Sequence, residues 1–117
     1  MKVETVDFLT IPTRDVPRAV AWYTEVLGLE PGGEGEVETP NVTLSFWNPE
    51  QAGEAFAPHL GGFALRVADV EEARSELEAK GVRFKGETYD SGVCHMGFFE
   101  DPDGNTLILH RRYAPRG

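Results

Sequence analysis

The sequence predicts an α+β fold in which a strand–helix–three-strand unit occurs twice, each helix covering one face of a curved mixed sheet. Three observations carry this. Two aspartates placed as helix caps, Asp15 and Asp69, stand 54 residues apart, and the glycines that would end the same helices, Gly28 and Gly81, stand 53 apart. Each helical stretch follows one β-prone run and precedes three more. Finally, Asp101-Pro102-Asp103-Gly104-Asn105 sets every turn-favouring residue type between two apolar runs, which reads as a hairpin near the end of the chain. An internal repeat of this length decides the architecture. With one helix for four strands, the second face of each sheet must curl around a core or a central cavity.

The elements follow in order. Residues 3–11 alternate, with Val6, Phe8 and Thr10 on one face and Asp7, Leu9 and Ile11 on the other, and Pro12 closes this strand. Asp15 caps a helix of about three turns, with Pro17 in its first turn and Ala19, Val20, Tyr23, Val26 and Leu27 on its apolar stripe. Residues 29–38 form short, acidic, glycine-broken edge strands, and residues 42–47 a fuller strand. Residues 48–58 carry no periodic pattern and connect the halves. Residues 62–67 begin the second unit, and Asp69 with Glu72 makes the Asp-x-x-Glu cap of a helix whose stripe is Val70, Ala73 and Leu77. Residues 82–87, 92–99 and 106–110 supply its remaining strands. The reading is therefore one domain over residues 1–117: a first module over about 1–48, a connection over about 49–60, and a second module over about 61–113.

Composition bounds the function. A chain of 117 residues with 40% apolar and 26% charged content is ordinary for one soluble domain. No run is long and apolar enough to span a membrane, and Met1-Lys2-Val3-Glu4 lacks the apolar core of a signal peptide, so no membrane partner is expected. Cys94 is the single cysteine, which excludes an internal disulfide framework and fits a reducing cytoplasm. A net charge of −9 argues against nucleic acid and mildly favours neutral or cationic partners.

The face under each helix should be the uniformly apolar one. That rule leaves Phe8 and Thr10 on the concave side of the first strand. It also leaves Thr43, Ser45 and Trp47 concave, although Val42, Leu44 and Phe46 could face either way. In the second unit it leaves Gly62, Ala64 and Arg66, then His95, Gly97 and Phe99, then Thr106, Ile108 and His110. A hairpin loop over residues 101–104 puts Glu100 opposite Asn105 and His95 opposite His110, so the two imidazoles are expected as a cavity-lining pair. They are the candidates for acid–base chemistry, or with Asp90 for a displaced metal site. A register one residue different puts Cys94 there instead.

Asp15…Ala19…Trp22-Tyr23…Val26-Leu27-Gly28-Leu29, Asp69…Ala73…Leu77…Gly81-Val82 and Asp101-Pro102-Asp103-Gly104-Asn105 together resemble the vicinal oxygen chelate superfamily of glyoxalases, bleomycin resistance proteins and extradiol dioxygenases. The resemblance covers nearly the whole chain. It implies two βαβββ modules closing around a shared cavity, commonly in a homodimer. It also implies a divalent metal on His, Glu or Gln ligands from the first and last strands of each module. Those positions fall here on Phe8, on Leu44 or Ser45, on Gly62 and on Ile108, none of them a good ligand. The expectation is a metal-free, cofactor-free, cytoplasmic homodimer. It would hold a hydrophobic or cationic small molecule against Phe8, Thr10, Ser45, Trp47, Gly62, Arg66, His95, Phe99, Ile108 and His110, in the manner of antibiotic resistance by sequestration. The alternative is a lyase, isomerase or oxidoreductase using His95 and His110 or a non-standard metal site.

Overall fold

A computed structural model describes residues 1–115 and divides the chain into two compact units, Met1–Pro58 and the segment from His59 onward. The first holds β1 (Phe8–Pro12), α1 (Val16–Glu25), β2 (Glu30–Pro31), β3 (Glu36–Glu38) and β4 (Thr43–Trp47). The second holds β5 (Ala64–Arg66), α2 (Val70–Ala79), β6 (Tyr89–Asp90), β7 (Cys94–Glu100) and β8 (Thr106–Arg112). The sheet orders are β1-β4-β3-β2 and β5-β8-β7-β6. In each unit the first strand runs parallel to the last, and the other pairs are antiparallel. The repeat read from the caps is thus a repeat of topology.

The caps behave as the residue types dictate. Asp15 Oδ1 accepts from Arg18 N at 3.0 Å, and Asp69 Oδ1 accepts from Glu72 N at 3.0 Å. At the end of α2 the N–H groups of Gly81 and Val82 donate to the carbonyls of Glu78 and Leu77, the two bonds of a Schellman motif, with Gly81 at φ +89°. In the first unit Tyr23, Val37 and Leu44 are fully buried, and the Tyr23 ring packs on Phe46 at 4.7 Å. In the second, Val70, Leu77, Phe99, Leu107 and Leu109 form the helix-side core.

Three expectations are corrected. The first strand begins at Phe8 rather than at residue 3, because its hydrogen-bonding partner β4 begins at Thr43, opposite Phe8, and it runs on through Pro12. The stretch 82–87 makes only one bridge, Phe84 to Phe99, before Gly86 takes φ +71°, and regular pairing resumes at Tyr89. The last strand, expected over residues 106–110, runs on to Arg112, while in the connection after β4 Asn48 caps a single 3-10 turn over Pro49–Ala52 by accepting from Glu50 N at 3.0 Å.

The fourth correction is to the hairpin. Asp101 N donates to Asn105 O at 2.9 Å and Gly104 N to Asp101 O at 3.0 Å, with Gly104 at φ +89°. Three residues, Pro102, Asp103 and Gly104, therefore form the loop, and Glu100 pairs with Thr106. Because side chains alternate along a strand, this one-residue difference moves all of β7 to the opposite face.

Candidate functional site

The open face of each sheet, opposite its helix, follows from the registers. In the first unit it carries Phe8 opposite Thr43, Thr10 opposite Ser45, and Pro12 opposite Trp47. Glu36 flanks Ser45, and Glu38 flanks both Thr43 and Glu30. Thr43 Oγ1 donates to the Glu38 carboxylate at 2.7–2.9 Å. Phe8 and Trp47 are 53% and 38% exposed, so this face presents aromatic rings beside hydroxyls and carboxylates.

In the second unit the open face carries Ala64 opposite Ile108 and Arg66 opposite His110 on the β5 side of β8. On its β7 side Phe98 lies opposite Ile108, Met96 opposite His110 and Cys94 opposite Arg112. His95, Gly97 and Phe99 lie on the other face. Phe99 is fully buried against Phe84, ring centroids 5.1 Å apart, and is no cavity wall. His95 is opposite Arg111, so the expected pair of imidazoles does not form: His110 stands on the open face and His95 on the helix side. The apolarity rule failed at β7 because the open side, Cys94, Met96 and Phe98, is itself apolar. The helix side carries Gly97, where an added Cβ would meet the Phe84 ring at 3.2 Å.

His95 instead joins a surface cluster. Its Nε2 is 3.3 Å from Asp90 Oδ2, and its ring stacks on Tyr113 at 4.7 Å. Asp90 Oδ1 accepts from Gly92 N and from Tyr113 Oη, both at 2.8 Å. The Gly92 N–H first, and then the Tyr113 hydroxyl, hold the Asp90 carboxyl below its usual value, and the bond to Asp90 pushes the Tyr113 phenol up. An open cleft of about 730 Å³ lies elsewhere, at the start of α1, where Arg14, Asp15, Glu34, Asn48 and Gln51 line it. Sequence reasoning did not single out the cleft, and it put Met96 and Phe98 on the helix side; the correct loop length would have put both on the open face.

The positions where the resemblance implies a metal can be tested one by one. Thr10 and Ala64 each lie five residues before a helix cap, and they face Ser45 and Ile108 respectively. Ser45 is therefore the counterpart of Ile108, while Leu44 is fully buried beneath α1. Phe8 and Ile108 offer hydrocarbon and Ser45 a hydroxyl. Gly62 offers nothing: at φ +73°, an added Cβ would sit 2.7 Å from Thr106 O. Among the described residues no three His, Cys, Asp or Glu side chains converge on one point. The donor set does not fit a divalent ion at these positions.

The comparisons agree with two sheets of this topology. The sequence profile of the Glyoxalase/Bleomycin resistance protein/Dioxygenase superfamily matches residues 5–109. Among solved structures, a member of that superfamily from Sphaerobacter thermophilus is 24% identical with a TM-score of 0.78, over 92% of this chain and 97% of that one. TnmS3, an antibiotic binding protein from a Streptomyces species, is 24% identical with a TM-score of 0.75, over 96% and 98%. A lactoylglutathione lyase from Agrobacterium tumefaciens is 19% identical with a TM-score of 0.75, over 93% and 94%. No curated protein matches the sequence. Two sheets of one topology and a profile spanning most of the chain lead to one conclusion: the chain belongs to the glyoxalase/bleomycin resistance protein/dioxygenase superfamily.

Proposed function

We propose that this chain is a metal-independent binding protein for a small molecule, a cytoplasmic homodimer that sequesters an antibiotic or other toxic compound rather than transforming it. The observation that carries the reading is the set of residues at the superfamily's metal positions: Phe8, Ser45, Gly62 and Ile108. Three of the four have no donor atom in the side chain. In their place the open face of the first unit offers Phe8 and Trp47, and that of the second offers Met96, Phe98 and Ile108, each an apolar surface of the kind a ring system stacks against. The antibiotic binding protein among the structural neighbours supports this reading. Separation of His95 from His110 removes the feature on which the rival acid–base reading rested.

The test is ligand titration joined to metal analysis on the whole chain. Trp47 is on the open face, while Trp22 lies on α1 edge-to-face with Tyr23 at 5.1 Å. A panel of aromatic antibiotics, bleomycin among them, should therefore include compounds that quench the protein's fluorescence, and Trp47→Phe should abolish the quench. Stoichiometric metal that survives dialysis against a chelator, or chemical conversion of the bound compound, would overturn the reading in favour of an enzyme.

A further inference from the structure

We propose that the open face of the second unit selects a small molecule carrying an anionic group on an apolar body, with Arg66 and His110 holding the anion. This deepens the reading above and rests on it. Arg66 and His110 are cross-strand neighbours in the parallel β5–β8 pair, so their side chains leave the same face one strand spacing apart, about 4.8 Å. Neither side chain makes a hydrogen bond or an ion pair with any described residue. Arg66 presents a planar fork of donors matched to a carboxylate, and His110 adds at least one N–H beside it.

The surroundings give that pair a direction. One residue pair along, on the same face, Ala64, Ile108 and Phe98 form an apolar row, and Met96 flanks His110 on its other side. Further along β8, Arg112 donates through Nη2 to Pro115 O at 3.3 Å, while its Nε–H is buried and finds no acceptor among the described residues. The carboxylate at the opposite end of the face, Glu100, is already paired with Lys85 at 3.3 Å. This end of the sheet thus has donors in excess beside an apolar floor, the complement of an aromatic or aliphatic acid. The corresponding positions of the first unit are Pro12 and Trp47, so the donor pair belongs to the second unit and not to the repeat. The net charge of −9 mildly favours neutral or cationic partners; the local face argues for an anionic one.

Three probes of one shape and different charge decide it: naphthoate, naphthamide and naphthylmethylammonium, titrated calorimetrically against the whole chain at neutral pH. Naphthoate should bind about 10-fold or more tighter than naphthamide, and the ammonium probe weakest. Arg66→Gln and His110→Gln should each lower naphthoate affinity about 10-fold, narrow the preference for naphthoate over naphthamide, and flatten the salt dependence of naphthoate binding. Equal binding of all three probes overturns the anion selectivity and leaves small-molecule binding standing. Binding of none overturns both. Should Arg66→Gln leave naphthoate affinity unchanged and instead dissociate an oligomer in sedimentation, the basic face belongs to a second copy of the chain and the inference fails.

Discussion

Gly62 is where the backbone itself speaks against a metal site, and replacing it is the sharpest test of that argument. Two costs can be separated for Gly62→Ala. The first is the left-handed backbone, φ +73°, which costs a residue with a Cβ about 1–2 kcal/mol. The second is contact: the new Cβ would lie 2.7 Å from Thr106 O and 3.0 Å from Thr106 Cγ2, so the strands must part by several tenths of an ångström. Parting them strains the bonds that hold this stretch to β8, Thr106 N to His59 O at 2.8 Å and Ile108 N to Phe63 O at 3.0 Å. Together these imply a loss of about 2–4 kcal/mol, or a fall in Tm of about 10 °C for a chain of this size. Urea and thermal unfolding measure it, with Gly61→Ala as the control. That neighbour has nothing within 4 Å and no positive φ, so its substitution should be neutral or slightly stabilising. Gly62→His should be at least as destabilised as Gly62→Ala and take up no zinc. A loss below about 0.5 kcal/mol for Gly62→Ala, or a folded Gly62→His that binds zinc stoichiometrically, would refute the reasoning.

The hairpin relay, the surface cluster and the strand register each give a further expectation. Asp101 Oδ1 accepts from the N–H groups of Asp103 and Asn105 at 2.9 and 3.0 Å, its Oδ2 accepts from Asn105 Nδ2 at 2.8 Å, and Asn105 Oδ1 accepts from His59 N at 2.8 Å. Only a carboxylate satisfies that order, so Asp101→Asn should cost about 1–3 kcal/mol in urea unfolding despite its identical shape. Tyr113→Phe removes a donor to Asp90 and should bring the Asp90 carboxyl, as followed by NMR, back toward its ordinary value of 3.8. A lowered carboxylate stabilises the fold above that ordinary value and loses the contribution as pH falls through the depressed one. The raised Tyr113 phenol, conversely, contributes below its ordinary value of 10.0 and loses the contribution as pH climbs through the raised one, readable by alkaline ultraviolet titration. For the register, NMR should show cross-strand contacts between Met96 and His110 and none between His95 and His110.

What the sequence made legible was whatever rests on local chemistry. Asp15 and Asp69 cap their helices, Gly81 closes a Schellman motif, and Asp101 organises the turn, because each acts within a few residues of itself. The open face of β1 was legible for a related reason, since Leu9 and Ile11 set an apolar side that survives any small error of bounds; in β4 Leu44 and Phe46 could face either way until the pairing with β1 decided it. Strand β7 was not legible. Its two faces are nearly equally apolar, so pattern could not choose between them, and the choice fell to loop length. A three-residue loop with Gly104 left-handed and the four-residue loop expected differ by one position in sequence and by a whole face in space. The length of β1 was hidden differently. Residues 3–7 alternate as a strand should, yet a strand needs a partner, and β4 supplies none before Thr43.

The same repeat that exposes the fold conceals the function, because function lies where the two units differ. Phe8 answers to Gly62, Ser45 to Ile108, and the Pro12–Trp47 pair to Arg66–His110, each at the same place in one topology. Around these positions the first unit sets Glu36 and Glu38 on its open face and the second sets Arg66, His110 and Arg112. A net charge of −9 averages over that division and says nothing of it. A symmetric pair of ligand-bearing strands would suit a metal ion, whose field has no preferred direction. The open face of the second unit, with donors at one end and an apolar row beside them, suits a molecule with distinguishable ends instead, and the charged-probe series reads that asymmetry directly.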